Sequence, residues 1–213
     1  MSLRIYPTRA AGAVDMTLEQ GLTFFAFSVA AAGTPGPSNV LLTATGANVG
    51  VLRGLPCLLG VAIGMASMML VVAFGLGSLI LDHPVVLQGV KWCGAVVLCW
   101  LAWRIATARH AGASTGGKPL GLAGAAAFQW VNPKAWLVCA SAAATFLHEG
   151  AGSALGQSVA LGLIFFLACL PSCFPWLAFG AVMQRVLRSE RAFRIFNGAM
   201  GALLAASVIL FVR

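Results

Sequence analysis

Six long apolar runs, separated by short polar segments, dominate the chain. They cover roughly residues 17–48, 54–81, 85–106, 120–147, 155–183 and 193–212. An α-helix needs about 20 apolar residues to cross the hydrocarbon core of a bilayer, and each run provides that length. The polar stretch between Arg104 and Lys118 is the one plausible linker, and it divides the runs into two groups of three. The pattern predicts an all-α integral membrane protein with six transmembrane helices.

Prolines interrupt the first and the fourth runs at matching places. The first run contains Gly33-Thr34-Pro35-Gly36-Pro37-Ser38-Asn39, and the fourth contains Gln129-Trp130-Val131-Asn132-Pro133-Lys134. Proline breaks a helix, and the backbone groups that it frees are tolerated at membrane depth only where they are buried or line a wet cavity. Each run is therefore predicted to be one discontinuous spanning helix with about 40 Å of helix in all. A re-entrant loop in place of the fourth run is the alternative.

The matched breaks indicate a repeat with halves at about 17–106 and 120–213. Beyond the breaks, the two halves show little sequence similarity. Three spans are an odd number, so the second half must enter the membrane from the opposite side, which makes a 3+3 inverted repeat. In many secondary transporters of this kind, discontinuous helices at corresponding positions form the substrate site. The sequence therefore predicts transport.

Composition excludes a water-soluble protein. Of the 213 residues, 60% are hydrophobic and 8% are charged, and the mean hydropathy is +0.94. Soluble domains carry about 25% charged residues. The net charge of +8 would suggest nucleic acid as the partner of a soluble protein. Here the basic residues lie mostly in short loops, so we expect a lipid bilayer and no nucleic acid.

The distribution of basic residues predicts the orientation in the membrane. Loops on one side of the predicted bundle hold Arg53, Arg104, Arg109, Lys118, Arg185, Arg188, Arg191 and Arg194, whereas the other side holds Arg4, Arg9, Lys91 and Arg213. Because cytoplasmic loops carry an excess of lysine and arginine, both termini are predicted to lie outside the cytoplasm.

Residues 1–15 are predicted to be an unstructured extension that precedes a transporter domain at 16–213. They contain Pro7, two arginines and no apolar run, which makes Met16 the expected natural start. The alternative is a cleaved signal peptide that ends at Ala30-Ala31-Ala32. Cleavage there would strand half of a broken helix.

Lys134 is the only charged residue well inside an apolar run. A lysine at the centre of a membrane helix costs about 2.5–3.5 kcal/mol on insertion scales, so such residues are usually buried for a reason. In one hypothesis its ammonium faces a central cavity and meets a substrate carboxylate. In another it bonds the carbonyls freed by Pro133 as a helix cap, and in a third it snorkels to the interface.

The other candidate substrate-binding residues surround the two breaks. They are Pro35, Gly36, Pro37, Ser38, Asn39, Gln129, Asn132 and Pro133. The amides of Asn39 and Asn132 either satisfy orphaned backbone groups or bond the substrate. The half-helix that begins near Ser38 would present free N–H groups and a positive dipole end. This arrangement favours an anionic or zwitterionic ligand.

The sequence shows no cluster of residues that is typical of a catalytic or metal-binding site. All histidines and acidic residues lie in loops or near the ends of runs, and no GxxxxGKS phosphate loop occurs. The six cysteines lie within apolar runs without a CxxC pair and are interpreted as small buried hydrophobes. We expect no enzymatic activity, no cofactor and no metal.

Two GxxxG pairs, Gly46/Gly50 and Gly60/Gly64, allow helices to pack closely. In a chain with 25 glycines, packing within the chain is favoured, and a homodimer interface is the alternative.

Several of these motifs resemble the LysE/RhtB amino-acid exporter family. The first is Thr34-Pro35-Gly36-Pro37-Ser38-Asn39, which is followed by Gly46, Gly50, Arg53, Gly54 and Leu59-Gly60. Lys91-Trp92-Cys93-Gly94-Ala95 with Leu98-Cys99-Trp100-Leu101-Ala102-Trp103 resembles the family's third segment, and Phe128-Gln129-Trp130-Val131-Asn132-Pro133-Lys134-Ala135 its fourth. The resemblance implies export of amino acids or related small metabolites across the bacterial inner membrane, driven by a proton or ion gradient.

One departure from the family bears on the substrate. Members that export basic amino acids tend to have an aspartate in the second segment, where this chain has Gly64-Met65-Ala66-Ser67. A neutral amino acid is therefore the expected substrate. The alternative is a passive channel, or a transporter of other small solutes or cations with the same architecture. A cation site would normally include carboxylates, which the apolar runs lack.

Overall fold

The computed structural model describes residues 16–76, 83–108, 120–147, 153–187 and 189–212, except for the side chains of 76, 86, 87, 90 and 209–212. Residues 1–15, the predicted extension, lie outside the described residues. The described part is all-helical. Its α-helices are α1 (Leu18–Gly33), α2 (Pro37–Val71), α3 (Pro84–Ala106), α4 (Leu122–Trp130), α5 (Pro133–Phe146), α6 (Ala154–Val186) and α7 (Glu190–Val212), and a π-helical turn at Val72–Leu76 extends α2.

The helix ends lie where the prolines predict them. The first break separates α1, which ends at Gly33, from α2, which begins with Pro37. The second break separates α4, which ends at Trp130, from α5, which begins with Pro133. Proline suits the first position of a helix because its fixed φ is helical and the N–H that it lacks has no intrahelical partner there. Both interruptions are thus set by local sequence.

Helix α2 is longer than one membrane crossing. Its 35 residues correspond to about 53 Å of helix, against a hydrocarbon core of about 30 Å. Gly50, with φ 78° and ψ 179°, interrupts the helix in a conformation that L side chains disfavour. The interruption separates residues 37–49, which continue the first apolar run, from residues 51–71, which form the second.

Two stretches among the described residues are long and apolar enough, by length and composition, to cross a membrane. They are Pro37–Gly75, with a mean hydropathy of 2.4, and Ala154–Val186, with a mean hydropathy of 2.0. The remaining helices are shorter or less apolar. Six membrane crossings would therefore require the helices on the two sides of each break to cross the membrane together.

Helices α2 and α6 form the centre of the bundle and pack closely. Helix α2 has its most extensive contacts with α6, and α1 also packs against α6. At the crossing, a Cβ on Gly46 would lie 2.0 Å from the carbonyl oxygen of Leu177, and one on Gly180 would lie 2.0 Å from that of Thr43. The two backbones therefore touch, with no side chain between them.

A second close contact joins α2 to α4. A Cβ on Gly60 would lie 2.3 Å from the carbonyl oxygen of Leu122, and one on Gly64 would lie 2.6 Å from that of Ala126. Gly46, Gly60 and Gly64 thus serve packing within the chain, as the sequence favoured.

Helices α3 and α7 pack mainly against each other at one side of the bundle. Asn197 is fully buried, and its Nδ2 donates to the carbonyl of Ala108 at 3.3 Å, just past the end of α3. A Cβ on Gly201 would lie 2.6 Å from the carbonyl oxygen of Ala102. This pair encloses neither break, so the site described next depends on the other five helices.

Candidate functional site

A cavity lies where the two breaks meet, between α1, α2, α5 and α6. The first break contributes Gly36, Ser38 and Asn39 to its wall, and the second contributes Asn132 and Lys134. Segments that are almost a hundred residues apart in sequence therefore share one cavity.

The first break leaves carbonyl groups at the end of α1, and side chains from elsewhere satisfy them. The Nδ2 atom of buried Asn39 donates to the carbonyls of Ala32, at 3.0 Å, and Thr34, at 2.8 Å. The indole Nε1 of Trp176 in α6 donates to the carbonyl of Gly33 at 3.2 Å. The structure therefore shows Asn39 bonding orphaned backbone, which is one of the two roles that the sequence left open.

Lys134 reaches from the second break to the first. Its Nζ donates to the carbonyl of Thr34, and its stem passes over Gly36, where a Cβ would lie 2.7 Å from Lys134 Cδ. Gly36 has an extended backbone with φ 179°, which any residue can adopt. A glycine is needed here only because a side chain would collide with Lys134. An ammonium has three N–H donors, and the bond to Thr34 uses one of them. The side chain is half-buried and forms part of the cavity wall.

One hypothesis was that Lys134 bonds the carbonyls that Pro133 frees at the second break. It is wrong, because Lys134 Nζ donates to the Thr34 carbonyl at the first break. At the second break, the N–H of Val131 donates to Phe128 at 3.2 Å and that of Asn132 donates to Gln129 at 3.1 Å. These turn hydrogen bonds satisfy the end of α4 locally. The Lys134 ammonium is therefore not needed at the second break and donates to a carbonyl of the first.

Ser38, Gln129 and Asn132 form a closed triangle of side-chain hydrogen bonds between the breaks. Ser38 Oγ donates to Gln129 Oε1 at 2.8 Å, and Asn132 Nδ2 donates to Ser38 Oγ at 2.9 Å and to Gln129 Oε1 at 3.2 Å. Asn132 Oδ1 also accepts from the backbone N–H of Lys134 at 3.2 Å, which caps α5. The triangle fixes the two breaks relative to each other.

The first turn of α2 lines the cavity, but some of its backbone N–H groups already donate to a carbonyl within the turn. Pro37 has no N–H, and the N–H groups of Asn39 and Val40 both donate to the carbonyl of Gly36 at 3.0 Å. The sequence predicted free N–H groups here, and the turn therefore offers fewer than expected. The ammonium of Lys134 is the stronger donor for an anionic group.

Four of the predicted site residues support the cavity without lining it. Pro37 and Pro133 are buried as the first residues of their helices, and Gln129 is buried within the triangle. Pro35 is exposed. The prolines thus shape the backbone, whereas the polar residues around them provide the contacts.

The opposite wall is apolar and sulfur-bearing, and the sequence interpretation did not assign it to the site. It includes Val61, Met65, Val138, Phe165, Cys169 and Cys173. The two cysteines are free thiols that are buried as predicted, and their Sγ atoms lie 3.6 Å apart. Their spacing of four residues places both on one face of α6 with Phe165, but the whole helix is apolar, so this spacing alone does not mark a site in the sequence. The prediction of burial is wrong for Cys93 and Cys99, which are exposed. Among the described residues that line the cavity, Lys134 alone is charged.

Comparison with known proteins identifies the family. The family model for LysE type translocators matches residues 29–213. A cysteine/O-acetylserine efflux protein of Salmonella choleraesuis (strain SC-B67) is 29% identical over 191 residues, which cover 87% of this chain and 92% of that protein. The protein of the same name from Escherichia coli (strain K12) is 30% identical over 170 residues, with 78% and 84% covered. No solved structure matches the chain. With its two proline breaks meeting at one cavity, this chain belongs to the LysE-type translocator family.

Proposed function

We propose that this chain exports small neutral amino acids across the bacterial inner membrane, driven by a proton or ion gradient. The observation that supports this most directly is the cavity between the two breaks, which combines one ammonium with otherwise uncharged walls. The matched relatives are named for efflux of cysteine and O-acetylserine, which are both neutral amino acids. A ligand of that class carries a carboxylate for Lys134 and an uncharged side chain for the apolar wall.

Binding would exchange one hydrogen bond for two. When a zwitterionic amino acid enters, its carboxylate bonds the Lys134 ammonium and its own ammonium bonds the Thr34 carbonyl that Lys134 releases. Charge-assisted hydrogen bonds are roughly twice as strong as neutral ones, so the exchange favours a zwitterion over a neutral solute. The Lys134–Thr34 bond thus joins two groups that would both bond the ligand.

A basic amino acid fits this site poorly. Its side-chain charge would enter a cavity whose lining has one cation and, among the described residues, no carboxylate. The position equivalent to the family's second-segment aspartate falls at Gly64–Ser67, and a side chain on Gly64 would clash with the Ala126 carbonyl at 2.6 Å. These contacts support the preference for neutral substrates.

The packing of the helices supports a 3+3 inverted repeat with six spans. Helix α1, from the first half, packs on α6 of the second half, and α4, from the second half, packs on α2 of the first. The contact of α3 with α7 joins the third and sixth runs, which are equivalent in such a repeat. These pairings are expected where two three-helix halves are related by a pseudo-twofold axis. We propose that both termini lie outside the cytoplasm.

Counterflow in proteoliposomes tests the transport proposal. We expect vesicles loaded with unlabelled serine or cysteine to accumulate the labelled amino acid, with saturation, and lysine to fail as counter-substrate. Flux that never saturates would favour the passive-channel alternative.

Reporter fusions test the proposed orientation. A periplasm-active reporter fused after Arg213 should be active and a cytoplasm-active one silent, and the reverse result would overturn the proposed topology.

A further inference from the structure

Three cavity residues of α6 form one stripe. Phe165, Cys169 and Cys173 follow each other at intervals of four residues, so their side chains lie on the same face of the helix. All three are buried and line the cavity. Eight residues of helix correspond to about 12 Å, and this is the length of the stripe along the cavity wall.

The Cys173 end of the stripe is the end that carries the ammonium. Cys173 Sγ lies 3.6 Å from Asn39 Oδ1, and Asn39 Nδ2 donates at 2.8 Å to the carbonyl of Thr34. The same carbonyl accepts from Lys134 Nζ. Phe165 therefore lies at the far end from Lys134.

The ring of Phe165 is held in place by other aromatic side chains. Its centroid lies 6.4 Å from that of Phe24 in α1, and Phe24 packs edge-to-face on Phe146 in α5 at 4.9 Å. Phe146 also contacts Phe27 at 5.6 Å. Phe24 and Phe165 are both fully buried, so Phe165 cannot swing aside without disturbing rings on two other helices.

We infer that Phe165 is a specificity-determining residue that limits the length of the substrate side chain. This inference rests on the proposed function, because it takes the carboxylate to be at Lys134. A side chain that starts from that end extends along the stripe past Cys173 and Cys169 and meets the Phe165 ring. Short neutral side chains fit in front of the ring, and long or aromatic ones are excluded.

The variant Phe165→Ala tests the inference in the counterflow assay. We expect the ratio of leucine to serine counterflow to rise at least tenfold, because single methylenes in an apolar pocket already change discrimination by about 10–200-fold. The matched control is Phe166→Ala, which truncates the neighbouring phenylalanine outside the cavity lining. Its ratio should equal that of the unsubstituted chain.

Two further variants keep the test decisive if Phe165→Ala fails to insert. Phe165→Leu should give a smaller rise in the leucine-to-serine ratio, and Phe165→Trp should lower the ratio below that of the unsubstituted chain. Active variants with an unchanged ratio, or an equal rise in Phe166→Ala, would overturn the inference alone. If the unsubstituted chain shows no counterflow of any amino acid, the proposed function itself is overturned together with it.

Discussion

The two breaks look alike in sequence but are satisfied in different ways. At the first, Lys134 and Trp176 bond carbonyls at the end of α1 from 100 and 143 residues away, and Asn39 of the following helix bonds two of them. At the second, the bonds come from nearby residues, such as the Trp136 indole, which donates to the Trp130 carbonyl at 2.8 Å. Prolines set both breaks, but long-range side-chain donors bond carbonyls at the first, whereas those at the second are bonded mainly by residues close in sequence.

This difference assigns the breaks different parts in transport. Hydrogen bonds between distant segments change when those segments move, and a ligand can replace them. Bonds within one turn persist through such motion. We therefore expect the first break to respond to substrate and the second to act as a rigid support, and the following variants test that division.

The largest expected effect is on stability and comes from Asn39→Ala. It removes the donor from two carbonyls, and a buried group left unsatisfied costs about 1–3 kcal/mol. By contrast, Asn132→Ala removes a helix cap worth about 1 kcal/mol, along with its bonds in the triangle. Thermal unfolding in detergent should show the greater loss for Asn39→Ala. Equal losses would mean that the first break is no more dependent on side-chain donors than the second.

Next is Lys134→Gln, which removes the charge that spans the two breaks. Transport should fall about ten- to a hundredfold, because charge-assisted bonds are worth roughly 1.5–3 kcal/mol, while the protein still inserts. Lys134→Arg should also impair transport, since a planar fork does not replace a compact ammonium in a tight cavity. Lys91→Gln, on α3 and away from the cavity, is the charge-matched control. Near-normal counterflow by Lys134→Gln would reduce Lys134 to a structural cap.

A smaller effect is expected from Gly36→Ala. The new Cβ would lie 2.7 Å from Lys134 Cδ, so the lysine stem must shift off the Thr34 carbonyl while the extended backbone stays unstrained. We expect transport to fall several-fold with little change in unfolding temperature. Gly198→Ala, where a Cβ meets nothing within 4 Å, controls for the added methyl group. A loss of stability without a loss of transport would contradict this account.

The smallest effects should separate two tryptophans that each donate to a break carbonyl. Trp176→Phe and Trp136→Phe each remove one N–H donor, and each should cost about 0.5–1.5 kcal/mol of stability. Only Trp176→Phe, at the first break, should also lower the rate of counterflow. The comparison fails if Trp136→Phe slows transport as much.

The sequence predicted an all-helical chain and both breaks, because apolar runs and proline signals are local. It placed a loop between the first two runs, where α2 is instead interrupted only at Gly50. It also grouped Gly36, Ser38, Asn39, Asn132 and Lys134 at one site through the repeat argument. It could not name the partners of the first break, since Trp176 is 143 residues away from the carbonyl that it bonds. The apolar wall was also out of reach. Helix α6 is apolar all round, so no periodicity marks the face with Phe165 and the cysteines.

The backbone contact between Gly46 and Gly180 has a mechanical consequence. It joins the first half of the chain to the second without an intervening side chain that could slide or change rotamer. We expect any relative motion of the halves to be a rotation about this crossing, because backbones in direct contact resist sliding. Thr43 touches the crossing and lies four residues, or about 6 Å of helix, beyond Asn39 at the cavity. In such a rotation a ligand would stay near the axis, and the helix ends would move furthest.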